Sequence, residues 1–148
     1  MKAPDLITDS HCHLDFPDFD QELEDVIARA KNAGVHRMVT ICTRLRNEPK
    51  VRALAEHYTS VFYAAGTHPM SAAEEPIATV EQLLAIAAYP KCVGLGETGL
   101  DYHYTSDSAE IQKTSLCIHI EAAQRSGLPL IVHARAADDD IADILSTE

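Results

Sequence analysis

The sequence predicts an α/β fold of five consecutive strand–helix units, and three observations predict it. Short apolar runs rich in β-branched residues alternate with longer stretches of helical periodicity. The connections between them are only a few residues long, which implies parallel strands joined by right-handed crossovers. The polar residues able to do chemistry collect where the strands end, at His11, His13, His68, Glu97 and His133. That is the edge on which parallel α/β architectures build their sites. Periodicity leaves open an open doubly wound sheet or part of a closed barrel. No G-x-G-x-x-G follows the first strand, which weakens a dinucleotide-binding version.

The elements follow in order. Leu6–Thr8 reads as the first strand. A helix from about Asp20 to Ala33 sets Leu23, Val26, Ile27 and Ala30 on one face and stops at Gly34. Glu22, Glu24 and Asp25 fall in its first turns, where the helix dipole favours negative charge. His36–Cys42 is the second strand and Asn47–His57 the second helix. Val61–Ala65 is the third strand, ending at Gly66-Thr67-His68-Pro69. The third helix runs from Ile77 to Ala88, between Pro76 and Pro90. Cys92–Gly96 is the fourth strand, followed by Glu97-Thr98-Gly99-Leu100-Asp101-Tyr102. Ala109–Ser126 is the fourth helix, capped by Ser108 or Asp107 and stopped at Gly127. Leu130–Val132 is the fifth strand and Ala137–Ser146 the fifth helix.

The 148 residues suffice for a single domain, 1–148, with a sizeable core. No apolar run approaches the roughly 18–20 residues that span a bilayer, and Met1–Asp5 lacks the apolar stretch of a signal peptide. A soluble cytoplasmic protein with no membrane partner is expected. The four cysteines, Cys12, Cys42, Cys92 and Cys117, show no C-x-x-C spacing and read as reduced, small apolar side chains. A net charge of −11 repels a phosphate backbone, and Arg44 to Arg52 is the densest basic stretch. Tight non-specific duplex binding is thereby disfavoured, whereas a metal-bridged nucleotide substrate is not.

Histidines at i and i+2 of a strand point to the same face, so His11 and His13 can converge on one cation through neutral ring nitrogens. Glu97 stands between Gly96 and Gly99, where backbones pack closely and a carboxylate can reach inward to bridge two cations. His133 ends the apolar run Leu130-Ile131-Val132, which suits a ligand on a buried strand. His68, before Pro69, is placed to bind a substrate oxyanion or orient a water. Asp101 and His103 suit a substrate loop or support from behind. His36, His57 and His119 read as structural.

Four blocks carry a family resemblance. Asp9-Ser10-His11-Cys12-His13-Leu14-Asp15-Phe16, Gly66-Thr67-His68-Pro69, Gly94–Tyr102 and Gly127–Arg135 together resemble the TatD family of metal-dependent hydrolases and deoxyribonucleases. The resemblance spans essentially the whole chain, in order. It implies a TIM (β/α)8 barrel of the metal-dependent hydrolase type with two divalent ions, Mg, Mn or Zn, at its C-terminal rim. It implies that His11 and His13 hold one ion, Glu97 bridges both and His133 serves the second, with Glu97 and His68 catalytic. His68, Asp101 and His103 would meet the substrate. Family members hydrolyse DNA phosphodiester bonds with metal-activated water, so a DNA or nucleotide substrate, single-stranded or at strand ends, is implied.

The family pattern continues with a sixth-strand histidine and an eighth-strand aspartate, whereas only the first five βα units are present here. The chain therefore reads as the N-terminal portion of such a barrel. Its outer strands would be unpaired edges, which invite a homo-oligomer that covers them. Two other readings stand beside a deoxyribonuclease. One is a metal-dependent hydrolase of an amide, lactone or phosphotriester. Many such barrels use a modified lysine on strand four, where this chain has Glu97. The other is an inactive, metal-binding fragment lacking the C-terminal ligands.

Overall fold

Five parallel strands lie side by side in chain order: β1 (Ile7–Cys12), β2 (Val35–Cys42), β3 (Val61–Ala65), β4 (Cys92–Asp101) and β5 (Leu130–Arg135). The structure, a computed structural model, describes residues 6–148; Met1–Asp5, read above as lacking an apolar leader, lies outside the described residues. Helices α1 (Leu23–Asn32), α2 (Glu48–His57), α3 (Val80–Ala87), α4 (Ala109–Ser126) and α5 (Asp138–Thr147) alternate with the strands. Topology settles what periodicity left open. A doubly wound sheet reverses its strand order part-way, whereas an unbroken order with right-handed crossovers keeps the helices on one side. The result is half of a (β/α)8 barrel, with β1 and β5 each paired on one side only among the described residues.

The helix-facing side of the sheet carries most of the core. Met38, Cys42, Val61, Tyr63 and Ala65 cluster with Ile27 of α1 and Val51 and Ala55 of α2. The larger aliphatic side chains among them, such as Val51 and Val61, contribute about 1.5–3 kcal/mol each when fully buried. Tyr63 is fully buried and donates its hydroxyl to Glu48 Oε1 at 2.9 Å, which satisfies its one polar atom. Further along the sheet, Leu83, Leu95 and Ala122 form a second cluster, and Leu100, Leu116 and Ile141 a third. Ile7 on β1 and Val132 on β5 are exposed.

Strand ends depart most from expectation. The first strand, expected over Leu6–Thr8, runs to Cys12 and includes His11. The fourth, expected to stop at Gly96, continues to Asp101, because Thr98, Gly99, Leu100 and Asp101 keep pairing with Val132, His133, Ala134 and Arg135. The fifth is lengthened by the same ladder. Polar residues end the apolar pattern before they end the hydrogen bonding. Helix α1 begins at Leu23 rather than Asp20, a 3-10 turn at Pro17–Phe19 intervening, and Glu22 sits at its N-cap. Helix α3 begins at Val80, where Thr79 and Gln82 form a reciprocal capping box. Ser108 stands at the N-cap of α4 but makes no side-chain cap; its hydroxyl donates to the Thr105 carbonyl. Gly127 ends α4 in the left-handed region at φ 74°.

The backbone just past the end of β3 passes close to the middle of β4. A Cβ on Gly66 would stand 2.6 Å from Gly96 Cα and 2.8 Å from its carbonyl carbon, backbone atoms that cannot rotate away. We expect Gly66→Ala to cost about 1–3 kcal/mol or more, read as a lower urea midpoint. Burial pushes the thiol of Cys42 up to about 12 and that of Cys92 to about 11. Both should resist alkylation at pH 8 in the folded protein and label fully in urea, as read by mass spectrometry.

Candidate metal centre

Glu97 organises the site. It lies within the second half of β4, between Gly96 (φ 132°) and Gly99 (φ 137°), two conformations that L side chains rarely adopt. An added Cβ would strike the Ile131 carbonyl at Gly96 and the His133 carbonyl at Gly99, so both glycines allow β5 to approach. The Glu97 side chain is only 12% exposed, and its two oxygens face different partners. Oε2 stands 3.4 Å from His11 Nε2, while Oε1 stands 3.3 Å from His133 Nδ1 and 4.0 Å from His68 Nε2. His11, His13 and Glu97 bring one ligand atom each within 4.8 Å of one another, and His68, Glu97 and His133 do likewise.

Hydrogen bonds assign the ring protons. His13 Nδ1 lies 3.2 Å from the Ile41 carbonyl, which can only accept, so Nδ1 carries the proton and Nε2 keeps its lone pair. His133 Nε2 lies 3.0 Å from Asp101 Oδ2; it donates to that carboxylate and leaves the Nδ1 lone pair facing Glu97. These are the arrangements that orient histidine toward a cation. His68 differs. Its Nδ1 accepts the Met70 amide at 3.2 Å, so the neutral ring carries its proton on Nε2, which points at His133 Nδ1 at 3.2 Å. Burial holds the His68 imidazole below its ordinary value, against the opposing pull of Glu97, and keeps the ring neutral near pH 7. His68 thus presents a donor, not a lone pair, although its nitrogen lies among the second group of ligand atoms.

Asp101 is fully buried, so it has no surface for a substrate and instead holds His133 from behind. Burial alone would raise its carboxyl, but the Tyr104 and His103 amides and the His133 ring hold it below the usual carboxylate value. Those amides donate to Oδ1 at 2.9 and 3.1 Å. His103 itself turns to the Tyr104 ring, centroids 4.4 Å apart, and does not join the cluster. His36 is the second residue of β2 and His57 ends α2, at the opposite end of the strands. His119 is fully buried, with both ring nitrogens bonded. A cavity of about 600 Å³ opens beside Glu97, lined in part by His13, Phe16, Arg44, Lys50 and His68. Phe16 stacks on His13, centroids 4.7 Å apart and planes 15° off parallel.

The donor set of His11, His13 and His133 nitrogens with a carboxylate that offers its oxygens in two directions fits borderline divalent cations better than calcium, which prefers all-oxygen cages. Residues 8–148 match the TatD related DNase family. The chain belongs to the TatD family. Among its TatD-like relatives, a metal-dependent hydrolase of Buchnera aphidicola is 34% identical over 97% of this chain and 58% of its own length. YabD of Bacillus subtilis, also called a metal-dependent hydrolase, is 35% identical over 97% and 56%. The 3'-5' ssDNA/RNA exonuclease TatD of Shigella flexneri is 32% identical over 86% of this chain and 49% of its own. The crystal structure of the TatD homologue YjjV from Escherichia coli superposes with a TM-score of 0.88 at 34% identity, covering 95% of this chain and 55% of that one. The chain spans about half the length of the curated relatives it matches.

Among the described residues, no helix is long and apolar enough to cross a membrane. Asp101→Asn tests the proton assignment. An asparagine must accept the His103 and Tyr104 amides with its oxygen, so its NH2 faces His133 and drives the ring proton to Nδ1. Removing that lone pair should weaken Mn²⁺ binding about 10–100-fold, read by isothermal titration.

Proposed function

We propose that this chain supplies the metal-binding half of a divalent-metal-dependent phosphodiesterase acting on DNA, with single strands or strand ends as substrate. The observation that carries it is Glu97, whose two oxygens face the His11–His13 pair on one side and His133 on the other. That placement suits a carboxylate that would be shared between two divalent cations, the two-ion arrangement used for in-line attack on phosphate esters. Such ions, when bound, supply charge to neutralise the phosphodiester and lower the pKa of a water. A relative that carries the name ssDNA/RNA exonuclease supports the nucleic-acid substrate.

The chain's own residues divide the remaining work. His11, His13, Glu97 and His133 would hold the cations, and Asp101 keeps the His133 lone pair turned toward them. His68 offers its Nε2 proton beside Glu97, suited to a non-bridging phosphoryl oxygen. With its Nδ1 lone pair taken up by the Met70 amide, the neutral ring donates from Nε2 without competing for cations. Phe16, stacked on His13 and partly exposed at the cavity, offers a face on which a base can stack. An acidic chain of net charge −11 meets an anionic strand only where cations offset that charge, which ties substrate binding to metal binding. A carboxylate rather than a modified lysine at position 97 favours phosphodiesters over amides or lactones.

Cleavage of a fluorescent single-stranded oligonucleotide should stop on chelation and return with Mn²⁺, Mg²⁺ or Zn²⁺. His13→Ala and Glu97→Gln should each lower it at least about 100-fold. Cation binding without turnover would instead favour the metal-binding fragment, and turnover that survives chelation would overturn the proposal.

A further inference from the structure

Two polar side chains of α4 are wholly buried, Gln112 and His119, and neither belongs to the candidate cation clusters. They are seven residues apart, two helical turns and roughly 10 Å along the axis, which puts them on one face of α4. Helix interiors seldom bury such groups unless every hydrogen bond is made. Here both are made, and both lead to the loops that carry the site.

Gln112 Oε1 accepts the Asp101 amide at 2.8 Å, and its Nε2 lies 3.3 Å from the Asp101 carbonyl. The same Nε2 reaches the Thr105 carbonyl at 2.7 Å and the Thr105 and Ser108 hydroxyls at 2.9 Å each. Gln112 thus holds the Asp101 backbone from both sides and closes the loop between β4 and α4. Asp101 is the residue whose carboxylate receives His133 Nε2.

His119 makes the matching connection to the other histidine. Its Nδ1 lies 2.7 Å from the Ser115 carbonyl, which can only accept, so the proton is on Nδ1. Its Nε2 accepts the Thr67 amide at 3.2 Å. The next amide, that of His68, donates to the Thr43 carbonyl at 2.9 Å. The backbone that presents His68 is therefore tied to α4 on one side and to the end of β2 on the other. A neutral ring with this one tautomer satisfies both partners of His119, and burial, which holds its pKa below the ordinary value, acts in the same sense.

We propose that Gln112 and His119 are positioning residues that set the two sides of the site separately, Gln112 acting through Asp101 on His133, and His119 acting through Thr67 on His68. The proposal rests on the assignment of His133 as a cation ligand and His68 as a donor. It predicts a division that general loss of packing would not produce. Gln112 governs cation affinity, whereas His119 governs the donor and leaves cation affinity alone.

The test uses Gln112→Met, His119→Ala and the conservative His119→Gln, whose amide can accept from Thr67 and donate to Ser115. Two-dimensional ¹⁵N NMR of the imidazole rings, recorded without metal, reads the tautomers independently of any activity. Wild type should show protons on His133 Nε2 and His68 Nε2. Gln112→Met should mix the His133 tautomers and weaken Mn²⁺ binding about 10-fold or more. His119→Ala should mix those of His68 and keep Mn²⁺ affinity within about 2-fold, with His119→Gln restoring the single form. Equal losses of Mn²⁺ affinity in Gln112→Met and His119→Ala, or unchanged tautomers in folded variants, would overturn the proposal. Should His119→Ala fail to fold, His119→Gln carries that arm: a mixed His68 ring in folded His119→Gln would also overturn it. Absence of nuclease activity in wild type, with these tautomer and affinity differences present, would count against the proposed phosphodiesterase and not against this inference.

Discussion

The site depends on one carboxylate placed so that its two oxygens face different histidines. Glu97 reaches His11 Nε2 with one oxygen and His133 Nδ1 with the other, from a strand pressed between β3 and β5. That position requires close backbone approach on both flanks, which Gly66, Gly96 and Gly99 allow by having no Cβ. A larger residue at any of them would move a strand, and with it one of the imidazoles. The glycines belong to the chemistry as much as to the packing.

The second constraint is the distribution of protons over neutral imidazoles. His13 and His133 each donate one ring proton away from the centre, to a backbone carbonyl and to Asp101. Their remaining lone pairs face inward, as cation binding requires. His68 is turned the other way by the Met70 amide and brings a proton to the same space. Three imidazoles of similar composition therefore do two different jobs, and the difference comes from partners that are not themselves ligands. Helix α4 extends this logic outward, since two of its buried polar side chains, Gln112 and His119, bond the loops behind Asp101 and His68.

Much of this was legible in the chain. Helix α4 has the bounds expected from the sequence, because Gly127 stops it locally in the left-handed region. His11, His13, His68, Glu97 and His133 share one rim, as motif placement on strand ends implies. The strand ends were less legible, since β4 continues through Glu97 to Asp101 by pairing with β5 across polar and glycine residues that carry no apolar alternation. Asp101 was hard to place because its carboxylate role depends on a partner 32 positions away. Gln112 and His119 gave only a weak signal, two polar residues seven apart on the buried face of α4.

By itself the sequence determined the five βα units, the family and the residues that gather at one edge, because these follow from local periodicity and short motifs. The tertiary structure decided the winding of the sheet, since strand order is a long-range property that no local pattern encodes. It also decided which histidines offer lone pairs and which offers a proton. A ring's tautomer is set by the group on its far side, and that group arrives from another strand, loop or helix only when the chain has folded.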